Sequence, residues 1–131
     1  STRALSSAAS DVYKRQKLIF GDLHLLANFP HIHDALGKKH LINSDTICQF
    51  TGLYAKSGKE IYEGDILKIT EGSVICICVV TWNEEIGAWS LKLRGHTETG
   101  ERPLGKWLCD NDYDIKVAGN IFDNIEILEY E

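Results

Sequence analysis

The run Val74-Ile75-Cys76-Ile77-Cys78-Val79-Val80 constrains this chain more than any other stretch. Seven apolar residues are too few to span a bilayer, which takes about twenty as a helix. A run that is apolar on both faces marks a strand covered on both sides, at the centre of a sheet or in the wall of a barrel. Burying its side chains contributes on the order of 10–20 kcal/mol gross, before chain entropy opposes it. The run is therefore expected to be the keel of the core.

The rest of the chain reads as short strands to match. Leu18 and Phe20, then Leu23 and Leu25, alternate around Gly21-Asp22. Ile32 and Leu41-Ile42 mark further extended pieces, with residues 34–39 as the turn between them. Residues 46–53 are strand-compatible, Ser57-Gly58 is a tight turn, and residues 60–70 alternate again, with a bulge or bend at Gly64-Asp65. Asn83-Glu84-Glu85-Ile86-Gly87 is hairpin chemistry, returning the chain as Ala88 to Leu93 with Trp89, Leu91 and Leu93 on one face. Residues 95–105 form a polar loop. Trp107-Leu108 opens a helical turn or extended strip, residues 115–122 the last strand, and residues 123–128 a closing helical turn capped by Asp123 or Asn124. Close strand spacing without a long amphipathic helix predicts an all-β fold, a small SH3-like or partly open β-barrel with short helical turns.

Residues 1–16 read differently. STRALSSAAS is small and polar, and DVYKRQ resembles translated linker sequence at the ends of fragmentary reading frames. Residues 1–16 are set apart as a non-native or disordered tail, against the competing reading of a natural basic arm tipped by Lys14-Arg15-Lys17. Residues 17–131 are then one β domain, of ordinary size for a single core.

The chain carries 14 basic and 19 acidic residues, net −5. Without residues 1–16, which hold Arg3, Lys14, Arg15 and Asp11, 11 basic residues face 18 acidic ones, a net of −7. Such a domain repels a phosphate backbone unless its basic groups cluster. Cys48, Cys76, Cys78 and Cys109 are expected to be buried, reduced thiols. The inner pair shares one strand face in poor disulfide geometry, and no Cys-x2-Cys zinc spacing occurs. The start has no basic leader before an apolar block, so a cytoplasmic location is expected.

Two long motifs carry a resemblance. Gln49-Phe50-Thr51-Gly52-Leu53 is followed by Gly58-Lys59-Glu60-Ile61-Tyr62-Glu63-Gly64-Asp65-Ile66. Near the end comes Val117-Ala118-Gly119-Asn120-Ile121-Phe122-Asp123-Asn124-Ile125-Glu126-Ile127-Leu128, with Val79-Val80-Thr81-Trp82 between the two. Over about residues 20–128 the chain resembles the YopX family, small proteins carried mainly by phages, prophages and other mobile elements. Cys48 stands where relatives often have Gly, and Ile125 where Pro is usual. Relatives begin with a basic-aromatic strand ahead of the segment matching Phe20 to Leu23. The resemblance thus implies a fragment lacking its first natural strand, with an open sheet edge. It implies no particular reaction.

The candidate chemistry is weighed residue by residue. Gln49, Phe50, Thr51, Gly52, Leu53, Gly58, Lys59, Glu60, Ile61, Tyr62, Glu63, Gly64, Asp65, Gly119, Asn120 and Ile121 are read as mainly structural, the glycine of Glu63-Gly64-Asp65 bending the chain and the acid capping the turn. Glu60, Glu63 and Asp65 lack a neighbouring histidine or nucleophile for acid–base work. His31 and His33 are the weak metal candidates, sharing a strand face as zinc ligands do. Trp82, Trp89 and Trp107 are the candidate binding surface. The first functional reading is a non-catalytic macromolecule-binding module of a phage or prophage in a bacterial cytoplasm, with no cofactor and no membrane. Its partner is then a host or phage protein rather than nucleic acid. The alternatives are a metal-dependent enzyme using His31/His33 and a structural subunit of a homo-oligomer.

Overall fold

The alternating segments become ten strands and one short helix among the described residues: β1 Thr2–Leu5, β2 Leu18–His24, β3 His31–His33, β4 Lys39–Leu41, β5 Cys48–Tyr54, β6 Glu60–Tyr62, β7 Asp65–Glu71, β8 Val74–Asn83, β9 Ala88–Leu93, α1 Leu104–Cys109 and β10 Asp114–Asn120. The computed structural model describes residues 2–5, 18–24, 31–42, 46–124 and 128, without the side chains of residues 18, 22, 24, 31 and 41. The chain divides into two units, Ser1–Phe50 and Thr51–Glu131, so the expected single domain over residues 17–131 is cut within β5.

In the first unit the order is β4-β3-β2-β1, with the start of β5 beside β1. The pairs β1–β2, β2–β3, β3–β4 and β1–β5 are all antiparallel. The core is small: Ala4, Ile19, Ile32 and Ile42, with Leu23 and Ile47 against it. Leu5 N–H donates to Thr46 Oγ1 at 2.8 Å. Gly21 has φ +150°, and a Cβ there would run into the His33 carbonyl, so β2 passes β3 only as glycine. In the β3–β4 turn Asp34 Oδ1 accepts from the N–H of Leu36 and Lys38, and Oδ2 lies 2.9 Å from His40 Nε2. The bond to His40 first, and the Lys38 N–H next, hold the Asp34 carboxyl below the usual carboxylate range.

The exclusion of residues 1–16 needs correction at Thr2–Leu5. This segment lies inside the sheet, pairing Thr2↔Gly21 on one side and Thr2↔Gln49 on the other, with Ala4 and Leu5 buried. Small side chains such as Ala4 suit a strand pressed between two others, a placement that a search for long apolar runs overlooks. The open edge expected beside β2 is occupied by β1. DVYKRQ lies outside the described residues.

The second unit holds a four-stranded antiparallel sheet in the order β10-β7-β8-β9 and the hairpin of the end of β5 with β6. One face of the sheet presents Leu67, Ile69, Cys78, Val80, Leu91 and Ile115 to a core completed by Ala55, Ile61 and Leu104. β8 is the central strand, as its composition predicts, but it is not covered along its whole length. Val74 is 60% and Ile75 55% exposed. Ile75 points to the face opposite the core, the face that carries exposed Lys68, and Val74 lies beyond the end of β9, which reaches only to Leu93 opposite Cys78. The pairings among the described residues make open sheets and close no barrel. No helix there is long and apolar enough to cross a membrane.

Candidate functional site

The Glu63-Gly64-Asp65 corner joins β6 to β7. Asp65 is 1% exposed, and its Oδ2 accepts the Tyr62 N–H at 2.8 Å. Gly64 has φ +82°, a conformation that costs a residue with a Cβ about 1–2 kcal/mol. Its N–H donates to the Val80 carbonyl, and its own carbonyl accepts from the Ile121 N–H. This corner therefore ties the two ends of the family-like sequence together. On the far side, Asn120 Oδ1 accepts the N–H groups of Phe122 and Asp123. Asn124 Oδ1 accepts the Asn120 N–H and fills the space a Cβ on Gly119 would need. Of the expected closing helical turn over residues 123–128, residues 125–127 lie outside the described residues.

The other motif residues are placed in the same region of chain. Thr51 Oγ1 donates to the Ile61 carbonyl at 2.7 Å and accepts the Leu53 N–H. Gly58, at φ +90°, closes the turn in which its N–H donates to Ala55 and Ala55 N–H donates to Lys59. Gln49, Gly52, Lys59 and Glu60 are exposed, Phe50, Leu53, Glu63 and Ile121 half-buried, Ile61 and Tyr62 buried. Their geometry makes turns and a core.

A different region has the shape of a binding site. The core face of the sheet is left open towards the β7–β8 turn, where a groove of about 310 Å³ runs over Ile69, Cys76, Cys78, Leu91 and Leu93. The size and apolar floor suit a ligand or an inserted side chain. Its roof is an arginine clasp. Arg102 lies 4.4 Å from the Trp107 ring centre and 5.7 Å from that of Tyr113, two rings packed edge to face at 4.9 Å. The guanidinium also bonds Asp110 Oδ2 at 3.0 Å and the Lys106 carbonyl at 3.3 Å. Asp110 Oδ1 accepts the Asp112 N–H at 2.9 Å. That N–H, then Arg102, keeps the Asp110 carboxyl below its ordinary range. The charge of Glu71 is the first cause of a raised Tyr113 phenol.

Cys76 and Cys78 share the groove floor, as their i, i+2 spacing predicts. Burial pushes the Cys78 thiol up to about 11, with the Cys76 side chain adding to it, so Cys78 is a neutral, weak nucleophile at neutral pH. The expectation that all four cysteines are buried holds for Cys48 and Cys78 and fails at half-buried Cys76 and at Cys109, which is exposed at the end of α1.

The three tryptophans separate into two groups. Trp82 and Trp89 face each other across β8–β9 at 5.1 Å, edge to face, while Trp107 belongs to the arginine clasp. Of the metal candidates, His33 is described and the His31 side chain lies outside the described residues. Among the described residues no group of three or more His, Cys, Asp or Glu is arranged to hold a metal ion. Sequence reasoning missed Arg102, Leu93 and the groove itself. Arg102 is one cation in a polar loop, and only folding carries it onto Trp107. The nearest available signal was Arg102-Pro103 leading into the helix that holds Trp107.

Comparison with curated proteins gives no match. A comparison with protein families matches residues 11–129 to the family described as YopX protein, a span that takes in both motifs and reaches into the segment set apart by composition. The chain is a member of the YopX family.

Proposed function

We propose that this protein is a non-catalytic binding module, taking a protein partner through the groove of its second unit. The observation that carries the reading is an apolar floor open to solvent, with Val74 and Leu93 60% and 46% exposed at its margin. Open apolar surface roofed by a fixed aromatic clasp suits a partner's side chain. The residues lining the groove include no histidine, and burial keeps the Cys78 thiol neutral, which favours recognition over catalysis. The net charge of −5 favours a protein partner over nucleic acid. The likeness of its motifs to proteins of phages and prophages supports a bacterial cytoplasm as the setting of this reading, with a phage- or host-encoded partner.

The test is occupancy of the groove. An environment-sensitive apolar dye such as anilinonaphthalene sulfonate is expected to bind wild type and to lose at least tenfold in affinity in Leu93→Glu, at an exposed position. Affinity capture from a bacterial host with the two proteins side by side then identifies partners that the variant fails to retain. Dye binding unchanged by Leu93→Glu removes the groove from consideration.

A further inference from the structure

The groove borders a stretch of open strand edge. Backbone groups of successive residues on a strand point alternately to its two neighbours. The Val80 carbonyl accepts from Gly64, which leads into β7, and the Ile77 carbonyl accepts from Arg94, on the β9 side. Ile75, two residues before Ile77, therefore aims its N–H and C=O to the β9 side as well. β9 does not reach it. The ladder ends where Leu93 lies opposite Cys78. Gly95 then takes φ +83°, and the His96 N–H closes back on the Leu93 carbonyl at 3.0 Å, which turns the chain out of line. Among the described residues nothing bonds the Ile75 backbone on this side.

The two faces of the sheet beside this edge differ in character. On the core side lie Val74, Cys76 and Leu93 of the groove. On the other face a basic row crosses the sheet: Lys116 stands opposite Lys68, Lys68 opposite Ile77, and Ile77 opposite Arg94. Like charges directly opposite one another on neighbouring strands are unfavourable, and Lys68 and Lys116 are both exposed. Lys116 meets only Asp114, at 3.6 Å, and Lys68 forms no ion pair among the described residues. In a chain of net charge −5, this face is complementary to an anionic group.

An open edge with apolar surface on one face and positive charge on the other fits an added strand. Resting on the binding-module reading above, we propose that the edge at Ile75 takes an extended segment of a partner protein as an antiparallel strand in line with β9, with an acidic residue opposite Ile75 and an apolar residue on either side of it. The acidic residue exchanges both backbone bonds with Ile75 and turns its side chain to the basic face, beside Arg94 and towards Lys68. Its two neighbours point the other way, over Val74 and Cys76 and into the groove. Backbone pairing at one residue is little by itself, so the side chains on the two faces decide which segment binds.

The experiment uses the full chain and four fluorescein-labelled probes. One is a heptapeptide with Glu at its centre, flanked by Val and Leu, and Ser or Thr elsewhere. The second carries Lys for Glu. The third keeps Glu but methylates its backbone nitrogen, removing the N–H that faces the Ile75 carbonyl. The fourth is a single-stranded oligothymidylate. Anisotropy is read with dye binding to the groove and light scattering measured in parallel. The Glu peptide is expected to displace the dye and to bind at least tenfold more tightly than either altered peptide. Its binding should weaken severalfold at raised salt. Lys68→Gln, at an exposed position, is expected to weaken it severalfold without lowering dye binding or the urea midpoint. Equal affinity for the Glu and Lys peptides, full binding of the methylated one, tighter binding of the oligonucleotide, or no peptide binding while the dye still binds would each overturn this proposal and leave the groove reading standing. A dimer that the Glu peptide does not dissociate gives the edge to a second copy and overturns it too. Failure of wild type to bind the dye sinks the groove reading itself.

Discussion

Replacing Asp65 by Ala removes the acceptor that closes the corner between β6 and β7. The Tyr62 N–H now bonded at 2.8 Å loses that partner in a buried site, since Tyr62 is 2% and Asp65 1% exposed. A hydrogen bond to a charged group contributes about 1.5–3 kcal/mol, and an orphaned buried donor costs a similar amount. The expected loss is therefore about 2–3 kcal/mol. Asp65→Asn retains one side-chain oxygen for the Tyr62 N–H and is expected to lose about half as much. Gly64→Ala, strained at φ +82°, should cost about 1–2 kcal/mol. Urea unfolding followed by tryptophan fluorescence measures all three. Trp82, Trp89 and Trp107 all lie within Thr51–Glu131, so the signal reports on the unit that contains the corner. With a slope of about 1–3 kcal/mol per molar, Asp65→Ala should move the midpoint down by about 0.7–3 M at unchanged slope. A midpoint within about 0.2 M of wild type would refute the claim that this acid holds the corner.

Other measurements probe the core, the thiols and the acid limb. Leu104→Ala, at a fully buried position anchoring α1 to the core, should cost about 2–5 kcal/mol in the same urea assay. Timed alkylation read by mass spectrometry should label exposed Cys109 first and Cys78 last. The Cys78 shift has a sign: its folded value near 11 lies above the reference 9.0. Its contribution is fully present below about pH 9 and is lost as pH rises towards 11, visible as a falling urea midpoint that a Cys78→Ala background flattens. Asp34 and Asp110 run the opposite way. Both carboxyls are held below 3.8, so their contribution is present above that pH and is lost as pH falls through the folded values; Asp110→Asn should flatten part of the acid limb.

The all-β class, the β8–β9 hairpin, the tight turn at Ser57-Gly58 and the shared face of Cys76 and Cys78 were legible in the residues themselves. All are consequences of side-chain alternation and of turn chemistry, which act over a few neighbouring residues. The corner at Glu63-Gly64-Asp65 was legible as a bend for the same reason, although its bonds to Val80 and Ile121 were not. The candidate site was scarcely legible. Trp82, Trp89 and Trp107 stood out as a candidate binding surface, but nothing local joined Arg102 to Trp107 and Tyr113.

Local pattern also misled in two places. The apolar run from Val74 suggests cover on both faces, yet only the face of Cys78 and Val80 packs into the core, and β9 stops opposite Cys78. Thr2–Leu5 lacks a strong strand signature and still sits between β2 and β5, because backbone pairing on both sides can hold a segment whose side chains alone would not. The sequence by itself determined which segments extend and where the chain turns, since those depend on each residue and its near neighbours. Tertiary structure alone decided which apolar atoms stay open to solvent and which charges meet, because contacts between residues distant in sequence depend on strand order and register.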